Sequence, residues 1–133
     1  MGKKIKGGYF ITFEGAEGSG KSTQIRFAVR FLKRKGYPVL VLREPGGTSI
    51  GEALRKILLD RKLHRMKVET ELLLYLAARS ELVREKIMPA LRQGKIVVLD
   101  RYEDSTLVYQ GFGGGISLKV IQSLSRFTRG RFV

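Results

Sequence analysis

Three short runs of nearly unbroken apolar residues punctuate the chain: Tyr9-Phe-Ile-Thr-Phe13, Pro38-Val-Leu-Val-Leu42 and Ile96-Val-Val-Leu99. Their length and their β-branched and aromatic content predict strands. Continuous rather than alternating hydrophobicity predicts a parallel sheet covered on both faces. Between the runs the apolar spacing becomes helical. From Ser22 to about Lys35, Ile25, Ala28, Val29 and Leu32 share one face, with Gly36 as the stop signal. Gly51 to Asp60 predicts a shorter helix. Glu69 to about Arg92 predicts a long one whose apolar positions include Leu72, Leu73, Leu76, Leu82, Val83 and Ile87, kinked near its end by Pro89. Beyond the third strand, Glu103 to Tyr109 predicts a helix, Gly111-Phe-Gly-Gly-Gly115 a flexible break, and Leu118 to Phe127 a final amphipathic helix. The β-α-β-α-β order, with right-handed crossovers, predicts an α/β fold. No repeat, low-complexity tract or linker divides residues 1–133, so one domain is expected.

Composition narrows the setting. The 133 residues are 43% hydrophobic, enough for a core. Lys and Arg number 26 against 12 Asp and Glu, a net charge of +14 that attracts nucleotides, RNA or acidic membranes without choosing among them. The absence of cysteine excludes disulfides and thiolate metal sites and fits a cytoplasmic address. The basic start, Met1-Gly-Lys-Lys-Ile-Lys-Gly-Gly8, leads only into the short run at Tyr9, too little for a signal-peptide core or a membrane span, so no membrane partner is expected.

The most specific signal is Gly15-Ala-Glu-Gly-Ser-Gly-Lys-Ser22, which satisfies G-x-x-x-x-G-K-[ST] between a predicted strand and a predicted helix. Glycines let successive N–H groups turn inward around a phosphate, and the positive end of the following helix adds its dipole. Lys21 is read as a solvent-facing loop charge for the β- and γ-phosphates. Ser22 offers a hydroxyl to Mg²⁺. Gly15, Ala16, Glu17, Gly18, Ser19, Gly20, Lys21, Ser22 and Thr23 are the expected ATP-binding residues. The loop alone establishes triphosphate binding and leaves the acceptor open.

Several further segments, together with the loop, resemble thymidylate kinases: Phe13 to Gln24, Leu42-Arg-Glu-Pro-Gly-Gly-Thr48, Leu74-Tyr-Leu-Ala-Ala-Arg79, and Leu99-Asp-Arg-Tyr102 continuing to Ser105-Thr106 and Tyr109-Gln110-Gly111. The resemblance implies a P-loop three-layer sandwich and ATP-dependent phosphorylation of dTMP to dTDP, usually in a homodimer. By that resemblance Glu17 faces the acceptor 3′-hydroxyl; a solvated loop side chain is the alternative. Arg43 and Arg101 follow the carboxyl ends of strands, where ligands of open sheets bind, and the resemblance gives them the acceptor phosphate; surface arginine is the alternative. Lys21, Arg101 and Glu17 are then the catalytic set. Asp100 ends a strand as a Walker-B-like acid would, with Mg²⁺ through water, or else caps a helix. Tyr75 and Arg79, four apart, share a helix face. The resemblance has the aromatic stack on thymine and the arginine reach a base carbonyl, whereas a helical aromatic among leucines otherwise reads as core. Thr106 and Gln110 fall where the family contacts the base or its surroundings, and Tyr109 where a tyrosine packs on the sugar; all three otherwise read as helix surface.

Two departures matter. Gly18 stands where some family members carry a catalytic arginine, and the sequence ends at Arg129-Gly-Arg-Phe-Val133, before the lid that supplies that arginine in the others. The lid and the last strands are thus expected to be missing from this chain, leaving it weakly active or inactive. Competing readings are a broader monophosphate kinase, a P-loop domain that binds nucleic acid through its positive charge, and an inactive nucleotide-binding domain. The nucleic-acid reading leaves Glu17, Tyr75 and Asp100-Arg101-Tyr102 unexplained.

Overall fold

The computed structural model describes residues 2–16 and 18–130. Its strands are β1 (Tyr9–Phe13), β2 (Val39–Arg43) and β3 (Ile96–Asp100), and its helices α1 (Lys21–Arg34), α2 (Ser49–Leu58), α3 (Val68–Leu82), α4 (Met88–Arg92), α5 (Glu103–Thr106) and α6 (Leu118–Arg129). The sheet is wholly parallel in the order β1-β3-β2. The last strand in sequence is therefore the central one, and it is the most apolar. Ile96, Val97, Val98 and Leu99 are all buried because both faces of β3 are covered. On one face Val97 and Leu99 pack against Leu82, Val83, Ile87 and Ala90. On the other, Ile96 and Val98 pack against Ile25 of α1. This is the helix–sheet–helix sandwich expected of the continuous apolar runs. A third cluster, Leu72, Leu76 and Ile121, holds α6 against α3.

The chain turns from helix to strand by the same device twice. At the end of α1, Gly36 N–H donates to Lys33 and Tyr37 N–H to Leu32; at the end of α4, Gly94 N–H donates to Leu91 and Lys95 N–H to Ala90. Each is a Schellman motif with a left-handed glycine, Gly36 at φ +86° and Gly94 at φ +77°.

Two expectations are corrected. The long helix is not simply kinked at Pro89: a π-helical turn, Val83–Ile87, joins α3 to α4 and ends two residues before the proline. A proline lacks an N–H and crowds the carbonyl four residues earlier, and the wider turn accommodates both. Nor is Gly111–Gly115 a flexible break. A second π-helical turn, Leu107–Phe112, runs into it and Gly111 is buried. A methyl group on Gly111 would come within 2.6 Å of Leu118 Cδ2, and one on Gly114 within 2.7 Å of the Gln110 carbonyl. The glycines there permit close packing of α6. Among the described residues no helix is long and apolar enough to cross a membrane.

Candidate active site

The pairing register sets Phe13, Asp100 and Arg43 side by side at the carboxyl ends of the three strands. Ligands of open α/β sheets collect at that edge. The glycine-rich loop leaves β1 here and enters α1 through Gly20, at φ +84°. No side chain caps this helix, so its first N–H groups stay available to an anion.

A cleft of about 630 Å³ opens at this edge. Ala16, Gly18, Gly20, Lys21, Ser22 and Thr23 form one wall, and Arg43, Arg55, Tyr75 and Arg101 line it with Asp100. Of the expected triphosphate residues, Gly15 and Ser19 do not line it, and Ser19 N–H turns back onto the Ala16 carbonyl at 3.3 Å. Glu17 lies outside the described residues.

Lys21 is not the solvent-facing loop charge that the motif suggests. It is the first residue of α1, its side chain is 11% exposed, and Nζ lies 2.6 Å from Asp100 Oδ1. The in-register pairing of β1 with β3 brings Asp100 beside the loop, within reach of the ammonium. Arg43 reaches Glu52 at 3.6 Å and remains largely exposed. Gly47 N–H donating to Glu52, helped by Arg43, holds that carboxyl below its ordinary value. Arg101 is the one non-glycine residue among those described with positive φ, at +71°. Its N–H donates to the Phe13 carbonyl at 2.9 Å, and its guanidinium carbon stands 5.9 Å from the Tyr109 ring centroid. A left-handed arginine is strained by roughly 1 kcal/mol or more. That strain aims its side chain into the cleft instead of along the sheet.

Glu44, Pro45, Tyr75 and Arg101 also border a second, smaller cavity of about 40 Å³. Arg79, Thr106, Tyr109 and Gln110 line it as well. Arg79 is 2% exposed. Its Nε donates to both oxygens of Glu44 at 2.9 and 3.0 Å, and its Nη2 donates to Glu44 Oε2 at 2.7 Å and to Thr106 Oγ1 at 2.9 Å. Its plane lies over Tyr102, 4.7 Å from the ring centroid. Nη1 has no partner. Burial pushes the Glu44 carboxyl up, and Arg79 opposes the shift. Burial likewise raises Tyr75 and pushes the Tyr102 hydroxyl up to about 12. Gln110 is buried, with Nε2 donating to Glu71 at 2.7 Å. Tyr109 is half exposed at the cavity's edge.

The sequence reading overlooked several members of this constellation. Arg55 faces the cleft and donates to the Pro45 carbonyl at 2.8 Å. Its signal is its position one turn after Glu52 on a helix whose start is fixed by Thr48, whose Oγ1 accepts from Gly51 N–H. Glu14, directly before the glycine loop, accepts from Tyr102 N–H at 2.7 Å and from the Ser105 hydroxyl, and so anchors the start of α5. Asp100 does not take that capping role. Among the described residues no cluster of three His, Cys, Asp or Glu could hold a metal alone. Ser22 and Asp100 line the same cleft, so their oxygens fit a hard cation that draws its other ligands from phosphate and water.

The family model described as thymidylate kinase matches residues 13–130. The thymidylate kinase of Thermoanaerobacter sp. (strain X514) is 52% identical over 115 residues, 86% of this chain and 56% of that protein. That of Herpetosiphon aurantiacus is 51% identical over 121 residues, 91% and 51% respectively. The crystal structure of thymidylate kinase from Ehrlichia chaffeensis superposes with a TM-score of 0.84 at 41% identity, covering 91% of this chain and 68% of that one. The chain spans about half the length of the curated relatives it matches.

Proposed function

Because the chain belongs to the thymidylate kinase family, we propose that it carries the nucleotide sites of an ATP-dependent kinase that phosphorylates dTMP to dTDP. One observation carries this reading: a cation-lined cleft beside the P-loop shares Tyr75 and Arg101 with a small cavity that Arg79 lines, its Nη1 without a partner. The first compartment suits phosphates, and the polar groups at the second suit the edge of a pyrimidine base seated between the two.

In this reading the P-loop amides and Lys21 hold the ATP phosphates, while Arg43, Arg55 and Arg101 hold the acceptor phosphate. An oxygen of that phosphate forms the new bond to the γ-phosphorus as the bond to the ADP oxygen breaks. Positioning and charge carry such a transfer, and no side chain needs to become covalently bound. Mg²⁺ held by Ser22 and Asp100 would offset phosphate charge. Tyr75 stacks on the base, Arg79 donates to it, Thr106 steadies Arg79, Gln110 contacts the base edge and Tyr109 borders the sugar. Glu17 is proposed for the 3′-hydroxyl on the sequence alone. A homodimer and a cytoplasmic address complete the proposal. Exposed Ile50, Ile57 and Leu73 on the adjoining helices α2 and α3 support the first, and the absence of cysteine supports the second.

Isothermal titration tests the reading: dTMP is expected to bind at least tenfold more tightly than UMP, and equal affinities would reject it. A paired substitution tests the acceptor-phosphate assignment. Arg101→Gly removes the strain at φ +71° but adds unfolded-state entropy, terms of roughly 1 kcal/mol each that nearly cancel. Its melting temperature should therefore stay close to the wild type, while Arg101→Ala keeps the strain and melts lower. Both should lose dTMP affinity by more than tenfold. Retained affinity in both would remove Arg101 from the site.

A further inference from the structure

We propose that Glu71 is a specificity-positioning residue: it fixes which end of the Gln110 amide faces the base cavity, and thereby selects a pyrimidine bearing N3–H. The inference rests on the base-site reading above and extends it to a residue outside the cavity lining.

A glutamine amide has a donor end and an acceptor end of nearly equal size, so its orientation is set by its neighbours. Glu71 Oε1 lies 2.7 Å from Gln110 Nε2. An ionised carboxylate can only accept, so only the NH2 end of Gln110 can face it. The carbonyl end is therefore committed elsewhere, and Gln110 is buried against the small cavity with 4% exposure. Arg79 is held by the same logic. Glu44 takes Nε and Nη2, and Nη1 remains as an unpartnered donor. Two carboxylates standing behind the cavity thus give it a polarity, a guanidinium donor from Arg79 and an amide acceptor from Gln110. Thymine and uracil present the complement, an N3–H donor beside the O4 acceptor. Cytosine presents the reverse at both positions, an N3 acceptor beside an amino donor. A base edge that leaves buried polar groups unpaired is rejected far more strongly than one that merely fits loosely.

Glu71→Gln removes the constraint, because the new amide can either accept from or donate to Gln110. The expected result is a roughly tenfold fall in the ratio of dTMP to dCMP affinity, the size of one misplaced hydrogen bond, with ATP affinity unchanged. Glu71 also lies in the first turn of α3, where an acid favours the helix dipole. Glu69→Gln removes the same charge from the same turn, on an exposed side chain, and controls for that effect. Titration of dTMP, dCMP and ATP into the wild-type chain and both variants, with circular dichroism to confirm folding, decides the matter. An unchanged dTMP-to-dCMP ratio in Glu71→Gln, or an equal fall in Glu69→Gln, overturns the proposal. If Glu71→Gln does not fold, the exchange Glu71→Gln with Gln110→Glu replaces it. There the new amide donates to the new carboxylate, whose second oxygen still accepts, so the dTMP preference must persist; its loss overturns the proposal. A wild-type chain that binds neither nucleotide would bring down the base-site reading and this inference together. A wild-type preference that Glu71→Gln leaves intact brings down this inference alone.

Discussion

Replacing Lys21 with alanine is expected to weaken ATP binding roughly a hundredfold, the scale of truncating one partner of a desolvated charge contact. The ammonium is paired with Asp100 at 2.6 Å and is largely buried. An entering triphosphate must share or displace that pair, so the substitution has a structural as well as a binding consequence. Asp100 Oδ1, itself buried, loses its partner, but the side chain as a whole is 32% exposed and the space that the lysine vacates lets water replace part of the lost interaction. The stability cost is accordingly modest, about 1 kcal/mol. A second change separates the two effects: Lys21→Ala combined with Asp100→Asn should recover the melting temperature while leaving ATP binding as weak as in the single variant. Calorimetric ATP titration and thermal melts of the three proteins check this. A Lys21→Ala chain that binds ATP within threefold of the wild type would dismiss the lysine from the phosphate site.

The parts of this site that were legible in the sequence are those that depend on neighbours along the chain. The strand that became β3 showed itself as an unbroken apolar run because both its faces are covered, and Gly36 marked the end of α1 because only a left-handed residue closes a Schellman motif cheaply. The P-loop motif is contiguous, so its pattern is legible without the fold. What escaped were side-chain pairs joined only by the fold. Arg79 and its partner Glu44 are 35 residues apart, Gln110 and Glu71 are 39 apart, and Tyr102 and Glu14 are 88 apart. No periodicity reports a contact at such separations. Local composition also misled at Gly111–Gly115: a cluster of glycines reads as a break when conformational freedom is all that is weighed, but glycine also leaves room for close packing, which at Gly111 admits the Leu118 and Ile121 side chains of α6. The same limit explains Lys21, whose motif predicts a phosphate ligand but not its pairing with Asp100, 79 positions away in the sequence.

Glu44→Ala should be among the most destabilising single substitutions in the chain. Glu44 is 8% exposed and takes three hydrogen bonds from Arg79, itself 2% exposed. Removing the carboxylate leaves a buried guanidinium with only Thr106 Oγ1 and the face of Tyr102 for company. An arginine cannot shed its proton to escape. Breaking a buried pair from one side costs about 3–5 kcal/mol, whereas replacing both partners with apolar residues of similar volume is often neutral. In a chain of this size the single loss should lower the melting temperature by roughly 10–20 °C. Glu44→Leu with Arg79→Met should recover most of that loss. The double variant should nevertheless lose dTMP affinity, and with it the preference for dTMP over dCMP, because Arg79 then no longer offers a donor to the base O4. Thermal melts of Glu44→Ala and the double variant, with dTMP and dCMP titrations of the latter, measure both halves. The combined outcome would mean that the pair is kept for the direction in which Arg79 points and contributes little net stability. A Glu44→Ala chain melting within about 3 °C of the wild type would correspond to about 1 kcal/mol, too little for an uncompensated buried charge, and the pair could not then be what holds Arg79 in place.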